Sequence, residues 1–298
     1  MPRPSLLAAT LLLVLAAGPG RAAAPGNAGS LAEWRAGRIE RLTAPDGWLT
    51  LIGLHFLPPG ASTVGRAPGN GIVLAAGPDH LGTVTLAADR TVTFVPADAS
   101  ARVDGRPATK VTLVPETPGG TPTVVSAGTV SCFVIERGGR LALRVRDTAS
   151  PRRTGFAGID SFPEDAAWRI EARWEAFAEP RELPVTNVLG QVTPEKVPGR
   201  AVFQRDGRTH ELLAIDEGPD EPLFFVFADA TTGRETYGAA RFLYADRPVG
   251  GKVILDFNRA YNPPCAFTPF STCPLPPAGN VLPFRITAGE KTYSRADP

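Results

Sequence analysis

Apolar residues in this chain recur mostly as short runs, broken by Gly, Pro, Asp and Asn at intervals of about ten residues, a spacing that predicts a β-sandwich or barrel. The runs at 48–52, 71–74, 83–86, 91–95, 111–113, 123–125, 132–135 and 141–145 are read as strands. One early segment has a different period. Leu31, Trp34, Ile39 and Leu42 fall on one stripe, so 31–43 is predicted to be a helix. Ser30 is placed to cap it, with Glu33 at the capping-box position. Pro45-Asp46-Gly47 closes it as a turn. Residues 151–163 read as a connector, and 168–174 reads as a strand with alternating faces or a helical turn entering one. Asp206-Gly207 between apolar runs predicts a hairpin, and so does Thr231-Thr232-Gly233. Val253 to Phe257 is read as a further strand. The expected fold is mainly β: a β-sandwich-like N-terminal region (48–150) and a second β-rich region (151–298), with one N-terminal helix in 25–47.

The first residues look like an export signal. Arg3 gives a positive start, 6–17 is apolar, and Ala22-Ala23-Ala24 offers small residues for cleavage, so 1–24 is predicted to be a signal peptide. The apolar run is shorter than the roughly 20 residues that span a bilayer, and no later segment is long and apolar enough to be an integral membrane segment. The expected location is periplasmic or secreted.

Composition narrows the chemistry. The chain has 31 Gly and 31 Pro among 298 residues, which argues against long helices. Its 31 Lys and Arg nearly balance 30 Asp and Glu, so no bulk grip on nucleic acid is expected. With three His, three Cys and one Met, no metal site and no cofactor are predicted. Cys132 lies in an apolar run and reads as a small buried hydrophobe. Cys265 and Cys273 lie in the Pro-rich stretch 263–277, and export favours a disulfide between them. Reduced thiols or another pairing are the alternatives.

The segments Thr232-Gly233-Arg234-Glu235-Thr236-Tyr237-Gly238, Asp256-Phe257-Asn258-Arg259-Ala260-Tyr261-Asn262-Pro263-Pro264-Cys265 and Cys273-Pro274-Leu275-Pro276-Pro277 resemble the bacterial and archaeal domain-of-unknown-function 1684 family. Pro45-Asp46-Gly47-Trp48-Leu49 and Arg137-Gly138-Gly139-Arg140 fit the same family. The resemblance spans nearly the whole mature chain and implies no activity. A local stretch over 59–105, Pro59-Gly60-Ala61-Ser62-Thr63-Val64-Gly65-Arg66 with Asn70-Gly71-Ile72-Val73-Leu74 and Val103-Asp104-Gly105, looks like a forkhead-associated sandwich. In that family the Arg after Gly grips phosphate, and a Ser-Arg-x-x-His stretch follows. Here Ala76-Gly77-Pro78-Asp79-His80 stands in that region, without the Ser-Arg pair.

Three residue sets carry candidate chemistry. Arg140, Arg144 and Arg146 share one strand face, opposite Leu141, Leu143 and Val145. Arginine forks suit a carboxylate or phosphate; the competing reading is a solvated face neutralised by Glu136, Asp147, Asp160 and Glu164. Tyr237, Arg241, Asp256, Asn258, Tyr261 and Asn262 form a polar set that could bind a polar ligand or place a base. The competing reading is structural: Asp256 pairing with an Arg, and the Asn side chains capping loop backbone. His55, His80 and His210 have no metal-ligand spacing, and no nucleophile elbow, phosphate loop or dinucleotide fingerprint occurs. Arg137-Gly138-Gly139-Arg140 reads as a hairpin turn. The leading expectation is a protein that binds an anionic or polar small molecule. The alternatives are a hydrolase-like enzyme with Asp256 or His210 as base and Arg241 or Arg144 stabilising charge, and a structural partner-binding module.

Overall fold

The computed structural model describes residues 29–117 and 119–293; the expected signal peptide, 1–24, lies outside them. Helix α1 (Leu31–Thr43) opens with a complete capping box. Glu33 N donates to Ser30 Oγ at 3.2 Å, and Ser30 N donates to Glu33 Oε2 at 2.8 Å. Its stripe differs from the prediction at one place: Ile39 is exposed and Arg38 is buried. The cause is a partner that the helix pattern does not contain. Arg38 Nε donates to Glu290 Oε1 at 3.0 Å and Nη2 donates to the Asn262 carbonyl at 2.7 Å, so burial of this guanidinium is compensated.

The strands of the first region are β1 (Leu51–Phe56), β2 (Gly60–Gly65), β3 (Ile72–Val73), β4 (Gly82–Leu86), β5 (Val92–Pro96), β6 (Arg102–Val103), β7 (Val111–Thr112), β8 (Val125–Ala127), β9 (Val130–Arg137) and β10 (Arg140–Asp147). They form two sheets, ordered β1-β10-β9-β8-β6 and β3-β2-β4-β5-β7. Between them lie Val64, Val84, Val92, Phe94, Cys132, Val134, Leu141, Leu143 and Val145. Cys132 is thus a core residue, and burial pushes its thiol up to about 12. The predicted strand at 48–52 starts late, because Trp48–Thr50 is a 3-10 turn in which Thr50 Oγ1 donates back to the Gly47 carbonyl at 2.6 Å.

Past the short helix α2 (Pro151–Thr154), the second region contains β11 (Arg169–Thr186), β12 (Val192–Arg205), β13 (Arg208–Asp216), β14 (Leu223–Phe227), β15 (Arg241–Ala245) and β16 (Lys252–Asp256). They make one sheet, ordered β15-β14-β13-β12-β11-β16. Asp206 and Gly207 have φ of 49° and 72°, the two-residue turn expected between β12 and β13. The second predicted hairpin is not tight. β14 and β15 do pair, but a folded loop from Ala228 to Ala240 connects them. One sheet face packs Trp168, Phe203, Phe225, Phe227, Leu255 and Phe257. The other packs Ile215, Phe224, Val226 and Phe242 with Cys273. β14 is buried on both faces, which explains its unbroken apolar sequence.

The β11–β12 hairpin is long enough to reach the first region. At its tip Gln191 lies against Gly138, in the β9–β10 turn. Beside the tip, Val188 N donates to the Cys273 carbonyl at 3.0 Å, and Leu275 N to the Thr186 carbonyl at 2.8 Å. The Pro-rich loop is therefore held at the seam between the two regions. Among the described residues no helix is long and apolar enough to cross a membrane.

Candidate functional site

The alternation predicted for β10 places its three arginines on the sheet face away from the sandwich core, but in three environments. Arg140 is exposed and lies over the Phe56 ring at 4.2 Å. Arg146 is half-buried over Phe133 at 4.8 Å, and its Nε has no partner among the described residues. Arg144 is the buried one, its side chain 4% exposed. Its guanidinium stands 5.5 Å from the Trp48 ring. The nearest carboxylate oxygen, Glu116 Oε2, is 3.8 Å from Nη1, too far for a hydrogen bond. Arg144 makes no hydrogen bond among the described residues, and its Nε is sealed from solvent. Burial, then the neighbouring Arg137, lowers its pKa to about 10.

Arg137 completes the cluster. It is 3.9 Å from the same Glu116 oxygen, and its Nε donates to Thr272 Oγ1 of the Pro-rich loop at 3.2 Å. One carboxylate thus faces two guanidiniums at long range. Cys273 is near enough to act electrostatically on Arg144, and Cys265 and Cys273 act likewise on Tyr237, whose pKa is raised first by burial. The seam therefore collects Arg137, Arg144, Arg146, Tyr237 and two cysteines. Sequence spacing identified the arginine face. It missed Glu116 and Trp48, which come from segments remote in sequence.

The rest of the predicted polar set serves the fold. Arg241 is 1% exposed; its Nη1 donates to Asp229 Oδ2 at 2.8 Å and to the Ile286 carbonyl at 3.0 Å, and Nη2 donates to the Ala288 carbonyl. Asp256 Oδ1 accepts from Asn258 N at 3.2 Å and Nδ2 at 3.0 Å, and Oδ2 accepts from Arg259 Nε at 3.2 Å. Asn258 also holds both backbone groups of Asp165 at 3.0 Å. Asn262 Nδ2 donates to the Lys291 carbonyl at 2.7 Å, and its backbone N donates to Glu290 Oε2 at 2.7 Å. The structure does not bring these residues to the arginine face as one pocket. Asp256 is a 3-10 cap and ion-pair partner, which leaves it poorly placed as a base.

The expected 265–273 disulfide is absent: both cysteines are free thiols that face each other across the loop. Among the described residues no hydrogen bond or ion pair joins a histidine side chain to an acid. His55 is half-buried, and burial lowers its pKa. His80 Nδ1 is 3.3 Å from Asn70 Oδ1, and His210 meets the Phe284 ring edge-on at 4.7 Å. Among the described residues no three His, Cys, Asp or Glu side chains are grouped to hold a metal. Two surface depressions lie elsewhere, around Glu171 and Arg173 on β11, away from the β10 arginines.

These features define a two-region β protein with a cationic seam. Residues 154–291 match the model of the family described as protein of unknown function, DUF1684, and this part of the chain belongs to that family. It is similar to a solution NMR structure of an uncharacterized protein from Haloarcula marismortui at 32% identity, over 47% of this chain and 79% of that one, with a TM-score of 0.40. No curated protein matches. The forkhead-associated likeness is not confirmed. The arginine it would use, Arg66, is exposed and forks onto Asp79 Oδ1 at 2.9 and 3.1 Å.

Proposed function

We propose that this is an exported binding protein that holds a small carboxylate or phosphate at the seam, on Arg144 with Arg137 and Arg146. One observation carries the reading: Arg144 is buried, charged and without a hydrogen bond among the described residues. A buried charge is costly unless it is paired and hydrogen-bonded. A guanidinium has five donors in a planar fork, and a bidentate carboxylate or phosphate satisfies two of them at once. Glu116, 3.8 Å away, does not. The aromatic rings of Trp48 and Phe133 hold the forks from behind.

A ligand bound only by the folded state stabilises it by about 2.7 kcal/mol at a hundredfold excess over Kd. Inorganic phosphate, acetate and citrate are to be compared with chloride at matched ionic strength in thermal unfolding. At least one is expected to raise the Tm of the wild type and of Arg140→Gln, and to leave Arg144→Gln unmoved. A shift that persists in Arg144→Gln, or follows ionic strength alone, overturns the reading.

Export supplies the compartment in this proposal, supported by the apolar run at 6–17 and Ala22-Ala23-Ala24. Intact mass of protein recovered from outside the cytosol is expected to show loss of about two dozen N-terminal residues, as such signals require. A full-length chain there refutes cleavage.

A further inference from the structure

We propose that Cys265 is a reactive thiolate that attacks small disulfides, with Cys273 as its resolving partner. This does not depend on anion binding at the seam. It replaces the permanent staple expected from the sequence with an exchange-active pair.

The loop is built around the two sulfurs. Cys265 follows Pro263-Pro264 and Cys273 precedes Pro274, so fixed backbone flanks both residues. Each main chain serves the other's sulfur: Cys265 N donates to Cys273 Sγ at 3.2 Å, and Cys273 N donates to Cys265 Sγ at 3.3 Å. Cys265 Sγ also accepts from Ser271 Oγ at 3.0 Å. Donors aimed at a sulfur favour its anion. The asymmetry is chemical as well as positional. Cys265 is partly exposed, whereas Cys273 is 5% exposed. Hydrogen bonding from Cys273 brings the Cys265 thiol down to about 7, and the same contact with burial pushes Cys273 up. One sulfur is thus reachable and surrounded by donors that favour its anion, while the other is buried and holds its proton more tightly.

The exchange balances. The Cys265 thiolate attacks one sulfur of R–S–S–R; that bond breaks, one RS⁻ leaves and takes a proton, and Cys265 carries the mixed disulfide. Cys273 then gives its proton to solvent and attacks Cys265 Sγ, expelling the second RS⁻. Two protein thiols are oxidised and one external disulfide is reduced to two thiols.

The probe is 4,4′-dithiodipyridine, whose lack of charge keeps attraction to the seam arginines out of the rate. At pH 7 a thiol of pKa near 7 has about fifteen times the thiolate of an ordinary one near 8.5, and lower nucleophilicity returns about fivefold. The folded wild type is therefore expected to react about threefold faster than a short cysteine peptide. It should release two pyridinethiones and lose two hydrogens by mass. Cys273→Ser should release one and keep the adduct on Cys265. Cys265→Ser should be silent until unfolded, because Cys132 is in the core and Cys273 is only 5% exposed. Peptide mapping of the wild type at limiting reagent locates the first adduct without any variant. First labelling at Cys273, or a fast phase surviving in Cys265→Ser, overturns the assignment. So does wild-type reaction slower than the peptide.

Discussion

Substituting Arg241 with alanine is expected to cost about 3–5 kcal/mol of folding stability, the usual consequence of removing one partner from a buried ion pair. Arg241 is 1% exposed and the Asp229 side chain is fully covered. Their 2.8 Å contact is one edge of a larger network. Asp229 Oδ1 accepts from Thr231 N at 2.7 Å, Thr231 Oγ1 at 2.6 Å and Ile286 N at 3.2 Å. Arg241 meanwhile satisfies the carbonyls of Ile286 and Ala288. The pair thus fastens the 228–240 loop and the segment near 286–288 to β15. Alanine leaves a carboxylate and two carbonyls unpaired in the core. Urea unfolding measures the loss through the midpoint at unchanged slope. Pairing Arg241→Met with Asp229→Leu tests the cause: the double variant should be more stable than Arg241→Ala, because no buried charge is orphaned. Equal or greater loss in the double variant would show that packing, and not charge burial, sets the cost.

The second large effect is expected at Asn280, which is fully buried. β13 and β14 pair at Ile215↔Phe224, so continuing the register would place Leu213 opposite Val226. The strands do not bond there; the Asn280 side chain does it for them. Its Oδ1 accepts from Leu213 N at 2.7 Å, and its Nδ2 donates to the carbonyls of Leu213 and Val226, each at 2.9 Å. Asn280→Ala removes all three bonds, one from the buried Val226 carbonyl and two from the partly buried backbone of Leu213. At about 1–3 kcal/mol per unsatisfied group, a total near 3 kcal/mol or above is expected in denaturant titration. Hydrogen exchange at Leu213 N should accelerate with it. A loss under about 1 kcal/mol, with Leu213 N still protected, would mean that water or strand closure replaces the side chain.

What the sequence made legible was local. The helix bounds, the Asp206-Gly207 turn and the two faces of β10 all follow from spacing within a few residues, and all are observed. β2 was missed because Gly60-Ala61-Ser62-Thr63-Val64-Gly65 carries little apolar surface and packs at only part of its length. The exchange of Ile39 for Arg38 in the helix stripe needs Glu290, far along the chain. The polar set failed to converge for the same reason. Arg241 answers to Asp229 and Asp256 to Arg259, and strand faces alone do not reveal which partner captures a side chain. At the seam, β10 was readable, while the Trp48, Glu116 and Thr272 contacts depend on how remote loops dock.

Arg38 also bears on where this protein can be cut. It lies outside the family's matched span, 154–291, yet its guanidinium pairs with Glu290, holds the Asn262 carbonyl and sits 4.6 Å from the Tyr261 ring, all inside that span. Trp34 adds its own ring against Tyr261, 6.2 Å between centroids. The border drawn by sequence similarity is therefore not the border of the packed unit. A fragment trimmed to that border would carry a raw wound where α1 belongs, so the helix travels with the domain in any expression design.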